Sequence, residues 1–216
     1  MPVAEAQGPS VVASYSQAWE TIMDSYLRLE NRHTGEVLKI RRVRDSRGQI
    51  VLSIEGSLPP RTSGPPPHVH FQQREEGCVK AGTVGARVGN EKIVVRTGES
   101  AVFPAGVVHT WWNGGEELLE LTGQAIPAVD LDRYLQALFA VLNATASGRP
   151  SIFYLAHVLW RHRRTQAVMT PPIAIQRIVF PVVLLVGRIL GKYRGTSWPG
   201  CPESCVGAPL VDAAIA

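Results

Sequence analysis

From Tyr26 to about Ile126, apolar and polar residues alternate in short runs, each ending in turn-forming residues. YLRLE gives way to NRHTG, EVLKIRRV to RDSRG, and QIVLSIEGSL to a proline-rich segment. EKIVVRTG follows the pair Gly89-Asn90, of the kind that closes a tight hairpin, and EELLELTGQ follows Asn113-Gly114-Gly115. Short strands spaced roughly 8–12 residues apart predict an all-β sandwich or barrel rather than a βαβ sheet. The residues ahead of this region, 1–25, read as a loose arm with a short helix around Ala18–Met23.

After Pro127 the period changes. Leu131, Tyr134, Leu135, Leu138, Phe139 and Leu142 follow helical spacing, with Asp130 placed to cap the start. A second helix is predicted from Ser151, with Ile152, Leu155, Ala156 and Leu159 on one face, running into the basic stretch Arg161-His162-Arg163-Arg164. A third, after Pro171-Pro172, carries Ile175, Ile178, Val179, Val182, Val186, Ile189 and Leu190, with Gly191 and Gly195 as stops. Its uninterrupted apolar run from Ile178 to Gly187 is half the roughly 20 residues that span a bilayer. Arg177 and Arg188 bracket the run and Pro181 interrupts it, so the helix is expected to pack on the barrel or on a second subunit, with an in-plane membrane contact as the less favoured alternative. The pattern therefore divides the chain into an arm (1–25), a barrel (26–127), a helical extension (128–195) and a mobile tail (196–216).

Composition changes this picture little. The 216 residues are 45% hydrophobic and 19% charged, ordinary for a globular protein. The net charge of +4 reads as a mild excess spread along the chain, and no basic-aromatic pattern suggests nucleic acid as a partner. The three cysteines, Cys78, Cys201 and Cys205, have no framework spacing and suit a reducing compartment. The N-terminal stretch has neither a positive n-region nor an apolar h-region, so a cytoplasmic protein without a signal peptide is expected.

Candidate chemistry gathers in two segments. In GPPPHVHFQQREEGCVKAG, His68 and His70 lie two apart, which puts both on one face of a strand, and Glu75 follows across a corner. In GESAVFPAGVVHTWWN, a Pro-x-Gly turn precedes His109. Three of the six histidines are thus placed with one carboxylate on neighbouring strands, a mixed nitrogen and oxygen donor set for a first-row divalent metal. Pro65–Pro67 stiffen the approach to the strand.

These stretches resemble the paired motifs of the cupin superfamily. The first motif is a glycine, five residues, His-x-His, three or four residues, a glutamate, six residues and a glycine; His68, His70, Glu75 and Gly82 fit it, while Gly64 stands two residues too close. The second is Gly-x5-Pro-x-Gly-x2-His-x3-Asn, matched throughout by Gly98, Pro104, Gly106, His109 and Asn113, so nine of ten markers agree. The resemblance implies a mainly β fold, a cupin-type double-stranded β-helix (jelly-roll barrel), here with a C-terminal α-helical extension, and a homodimer. It also implies one divalent transition metal (Fe, Mn, Ni, Cu or Zn) held by His68, His70, Glu75 and His109, with open positions for a chelating substrate.

Alternation then sorts the neighbours. If Glu75 points inward, so do Gly77 and Val79, while Cys78 points away as a small buried hydrophobe and Glu76 faces solvent. Related barrels often carry a bulky aromatic where this chain has Gly77, which predicts either extra room beside the metal or a bulged strand. Trp111 and Asn113 share the side of His109, so both are candidate pocket residues, with core packing as the alternative for Trp111. Gln73 either binds a ligand or sits in a surface turn; His157 and His162 read as surface or packing residues, and Cys201 and Cys205 have no assigned role. The expected function is a metal-dependent enzyme on a small organic substrate, of dioxygenase-like oxidoreductase type, with proton transfer left to Glu75 or to bound water. The alternatives are a metal-dependent isomerase, cyclase or lyase, and a non-catalytic small-molecule-binding protein.

Overall fold

The structure, a computed structural model, describes residues 26–212; the expected arm helix at 18–23 and residues 213–216 lie outside it. Ten strands form the barrel: β1 (Leu27–Glu30), β2 (Val37–Arg44), β3 (Ile50–Leu58), β4 (His68–His70), β5 (Arg74–Ala81), β6 (Thr83–Val88), β7 (Glu91–Arg96), β8 (Ser100–Phe103), β9 (His109–Asn113) and β10 (Leu119–Ile126). They make two facing sheets, ordered β1-β2-β3-β10-β5-β8 and β4-β9-β6-β7. Strands expected from alternation appear as β1, β2, β3, β7 and β10, and Gly89 closes the β6–β7 hairpin at φ +57°. The fold is mainly β, a jelly-roll barrel with helices at its C-terminal side.

Register fixes which side chains point inward. β10 aligns Ala125, Gly123 and Leu121 with Glu75, Gly77 and Val79 of β5, and it aligns Gly123 with Ile54 and Leu121 with Gly56 of β3. One end of this inner face closes on Val84, Ala86 and Val95 of the second sheet, forming a buried core with Leu58, Val79 and Leu119. The other end carries Leu29, Leu38, Ile40, Leu52 and Ala125. It is covered by helix α1 (Leu131–Leu142), through Leu131, Tyr134, Ala137, Phe139 and Val141, backed by Val158 of α2 (Ile152–Arg161). Asp130 stands at the N-cap of α1 but makes no capping bond; its carboxylate goes to His162 Nδ1 at 2.5 Å.

The extension is woven into the barrel. β11 (Gln166–Val168) pairs antiparallel with β4, and β12 (Leu210–Asp212) pairs parallel with β2. The tail is therefore not loose up to residue 212: Trp198, Cys201 and Ala208 are buried, and the Ala208 N–H donates to Asp132. Asp132 is wholly buried and also accepts from Arg42 at 2.6 and 2.8 Å, so one carboxylate joins β2, α1 and the tail. A buried carboxylate is tolerable because it is paired and fully hydrogen-bonded. The sequence shows no periodicity there because these contacts are long-range and involve short segments. Helix α3 (Ile173–Ile189) packs on α2; among the described residues no helix is long and apolar enough to cross a membrane.

Candidate metal centre

The approach to β4 orders the first histidine. Proline has no N–H to offer, but all three prolines supply acceptors. The Pro65 carbonyl accepts from Thr110 Oγ1, that of Pro66 from His68 Nδ1 at 2.9 Å, and that of Pro67 from the Met169 N–H. On β9 the Val107 carbonyl accepts from His109 Nδ1 at 3.0 Å. A carbonyl can only accept, so in both rings Nδ1 carries a proton and Nε2 is the nitrogen left for the cluster, the arrangement that orients metal-binding histidines; at His109 that Nε2 meets the Glu75 carboxylate. His70 is buried, and the Gly106 N–H holds its backbone carbonyl. Phe103 stacks on His109 with centroids 4.8 Å apart and an 11° tilt, which fixes that ring further.

The four side chains converge. Glu75 lies 3.1 Å from His109 Nε2 and 3.5 Å from His70 Nε2, and the His68 and His109 ring centroids are 4.3 Å apart. One donor atom from each of His68, His70, Glu75 and His109 lies within 4.8 Å of every other. An ion about 2.1 Å from each donor would hold opposed donors roughly 4.2 Å apart, so the set needs only a small contraction to close on one. Three imidazoles and one carboxylate fit a first-row divalent ion.

Electrostatics agree with the geometry. Burial, then neighbouring His109, lowers the His68 pKa to about 4, so the ring is neutral at ordinary pH. Burial pushes the Glu75 carboxyl upward, but His70, the hydrogen bond from His109 and His68 outweigh it and hold the pKa at about 2. The cluster therefore offers one anion and an unprotonated His68 in the state a cation requires.

Three of the donors, His68, His70 and Glu75, line a cavity of about 490 Å³. Its lining includes Gly77, Val79, Phe103, Trp111 and Leu121 of the barrel, and it extends under the helices to Leu138, Leu142, Leu155 and Leu159. Three of the five expected pocket residues, Gly77, Val79 and Trp111, thus border the cavity. Gly77 opposes Gly123 across the sheet, and two neighbouring positions without side chains leave open space where a β-barrel is usually filled.

Gln73 and Asn113 do not line the cavity. Gln73 is fully buried and donates to the Ala128 carbonyl at 2.7 Å, tying the β4–β5 corner to the start of the extension. Asn113 donates to the carbonyls of Leu58, Pro59 and Glu117 and accepts from the Gly115 N–H, so its amide is used up in fixing loops. Glu76 is only partly exposed; it pairs with Arg74 and hydrogen-bonds Gln124. Sequence reasoning missed Phe103, legible as the alternate of Ala101 on β8, and Glu36, which lines the same cavity as Leu138 and Leu142 of α1.

Comparison with known proteins finds a match over the segment that holds the donors. A family model described as a cupin domain matches residues 55–123, the segment that carries all four donors. No curated protein matches the chain. Among solved structures, the TT1209 protein from Thermus thermophilus is 24% identical, over 41% of this chain and 84% of that one, at a TM-score of 0.35. KdgF from Halomonas sp. is 18% identical, over 51% and 93%, with a TM-score of 0.40. The Lactobacillus farciminis oxalate decarboxylase formate complex is 18% identical, over 50% and 32%, with a TM-score of 0.42.

Proposed function

We propose that this chain, whose residues 55–123 form a cupin domain, is a metal-dependent enzyme that oxidises an apolar small molecule bearing a chelating head, in the manner of a dioxygenase. The observation that carries the reading is the cluster of His68, His70, Glu75 and His109, three of which (His68, His70 and Glu75) line a largely apolar cavity. A divalent transition metal, which His68, His70, Glu75 and His109 would hold, would supply Lewis acidity and, if redox-active, redox capacity. The chain does the rest. His68 and His109, locked by Pro66 and Val107, turn Nε2 toward the cluster, and Glu75 contributes the single negative charge. Val79, Phe103, Trp111 and Leu121 shape the space for an apolar body and exclude water, which also favours entry of an apolar gas. The enol, acid or thiol head of the substrate then points to the donors because no other part of it is polar.

Elemental analysis of protein purified without chelators or a nickel column tests the site, alongside Glu75→Ala and His109→Ala. Near-stoichiometric iron or another redox metal, lost in both variants, is expected, together with oxygen uptake when alkyl-substituted chelates are added. Stoichiometric zinc without oxygen uptake would overturn the oxidative reading, and no metal after reconstitution would overturn the metalloenzyme itself.

A further inference from the structure

The positive charge is not spread along the chain as its total suggests. From Arg133 to Gly200 there are nine Arg and Lys residues and no Asp or Glu, so the remainder of the chain is net negative. This acid-free stretch contains α2 and α3. Within α3 only Gln176, Phe180 and Gly187 are buried. Ile175, Ile178, Val179, Val182, Leu185, Val186, Ile189 and Leu190 are all exposed, from 39% at Val179 to 73% at Ile178. They recur every three or four residues and form one continuous apolar stripe along the helix. The expectation that this helix is packed away is met on its other face alone.

Charge decides what the stripe fits. Arg177 and Arg188 are exposed, eleven residues or about three turns apart, and so lie on one flank of the stripe, with Lys192 and Arg194 exposed just beyond the helix end. Between α2 and α3 a groove of about 400 Å³ is lined by His157, Trp160, Arg161, Pro181, Leu184, Leu185, Arg188 and Pro202. Burial, then the guanidiniums of Arg161 and Arg188, lowers the His157 pKa. Glu203 brings a carboxylate to the edge of this region, where Cys201 Sγ donates to it at 2.6 Å. A second copy of the chain is a poor occupant. Antiparallel two-fold pairing of α3 with itself sets Arg177 opposite Arg188 of the second copy, with no acidic residue on the helix to neutralise either.

We propose that α3 lies in the plane of an anionic phospholipid bilayer, its apolar stripe at the headgroup–acyl boundary and Arg177, Arg188, Lys192 and Arg194 among the phosphates. At 17 residues the helix is about 25 Å long, too short to span and long enough to lie flat. The basic rim supplies the second attraction that stable surface binding needs besides apolar burial.

The test is co-sedimentation of the full-length chain with phosphatidylcholine vesicles containing 0, 20 or 40% phosphatidylserine, at low and at 0.5 M salt. Binding should rise with phosphatidylserine and weaken in salt. It should be lost in Val182→Asp and Leu185→Asp, exposed positions whose substitution leaves the fold intact by circular dichroism. Arg177→Gln and Arg188→Gln should each lower the partition coefficient about five-fold. Absence of binding to every vesicle would overturn the proposal, as would binding indifferent to the aspartate variants. A concentration-dependent dimer abolished by Val182→Asp, without vesicle binding, would give the stripe to a second copy instead.

Discussion

Glu36 immediately precedes β2 and lines the cavity, whose wall also includes Leu38, Leu138 and Leu142. Burial alone pushes its pKa from 4.5 up to about 7. The folded chain therefore binds a proton that the unfolded chain has lost between about pH 4.5 and 7. The stability it contributes is fully present below 4.5 and is lost as pH rises through 7. Glu36→Gln cannot titrate, so its stability relative to the native chain should grow between pH 4.5 and 8 by on the order of 2 kcal/mol, read from urea unfolding at several pH values. A difference constant across that range would show that the carboxyl is not buried in the way described. His68 acts in the opposite sense: with its pKa lowered to about 4, its contribution falls as pH drops from 6.5 towards 4. The two effects overlap and oppose each other, so the metal-free native chain should show a flatter pH profile than Glu36→Gln.

At the scale of elements, the β5–β10 pair carries both the ligand Glu75 and the glycine pair that opens the cavity. A Cβ on Gly123 would sit 2.5 Å from the Glu76 carbonyl, and one on Gly77 3.2 Å from that of Thr122. Gly123→Ala must therefore push two strands apart and should cost about 1–3 kcal/mol in chemical denaturation, while Gly77→Ala costs less. Equal costs would contradict the asymmetry of the backbone contacts. These elements also show what a sequence can and cannot carry. Alternation and turn residues located the strands, and motif spacing brought His68, His70, Glu75 and His109 to one point, because both signals are local. Gln73 and Asn113 share a face with ligands by the same counting, yet their amides are bound to carbonyls across the corner and loops, Gln73 to one 55 residues away. Periodicity gives a direction, never a partner. The helix-covered half of the cavity stayed hidden for the same reason, since Leu138 and Leu155 become walls only when α1 and α2 dock.

Over the whole molecule, the boundary at 127 separates sequence textures but not folding units. The extension gives a strand to each sheet and supplies the apolar cover for Leu29, Leu38, Ile40 and Leu52. A chain ending at Pro127 is expected to unfold without a cooperative transition by circular dichroism and to hold no stoichiometric metal. A cooperative, metal-loaded fragment would refute that dependence. The pairing of β4 has a further consequence. The strand bearing His68 and His70 meets β9 in register only at His68↔His109, and its longer partnership is with Gln166–Val168. On a ribosome, which delivers the chain from its N-terminus, all four donors emerge long before the strand that steadies two of them. A metal ion meeting the nascent chain finds donors without a cage, so selection of the correct ion belongs to the moments after β11 has been released.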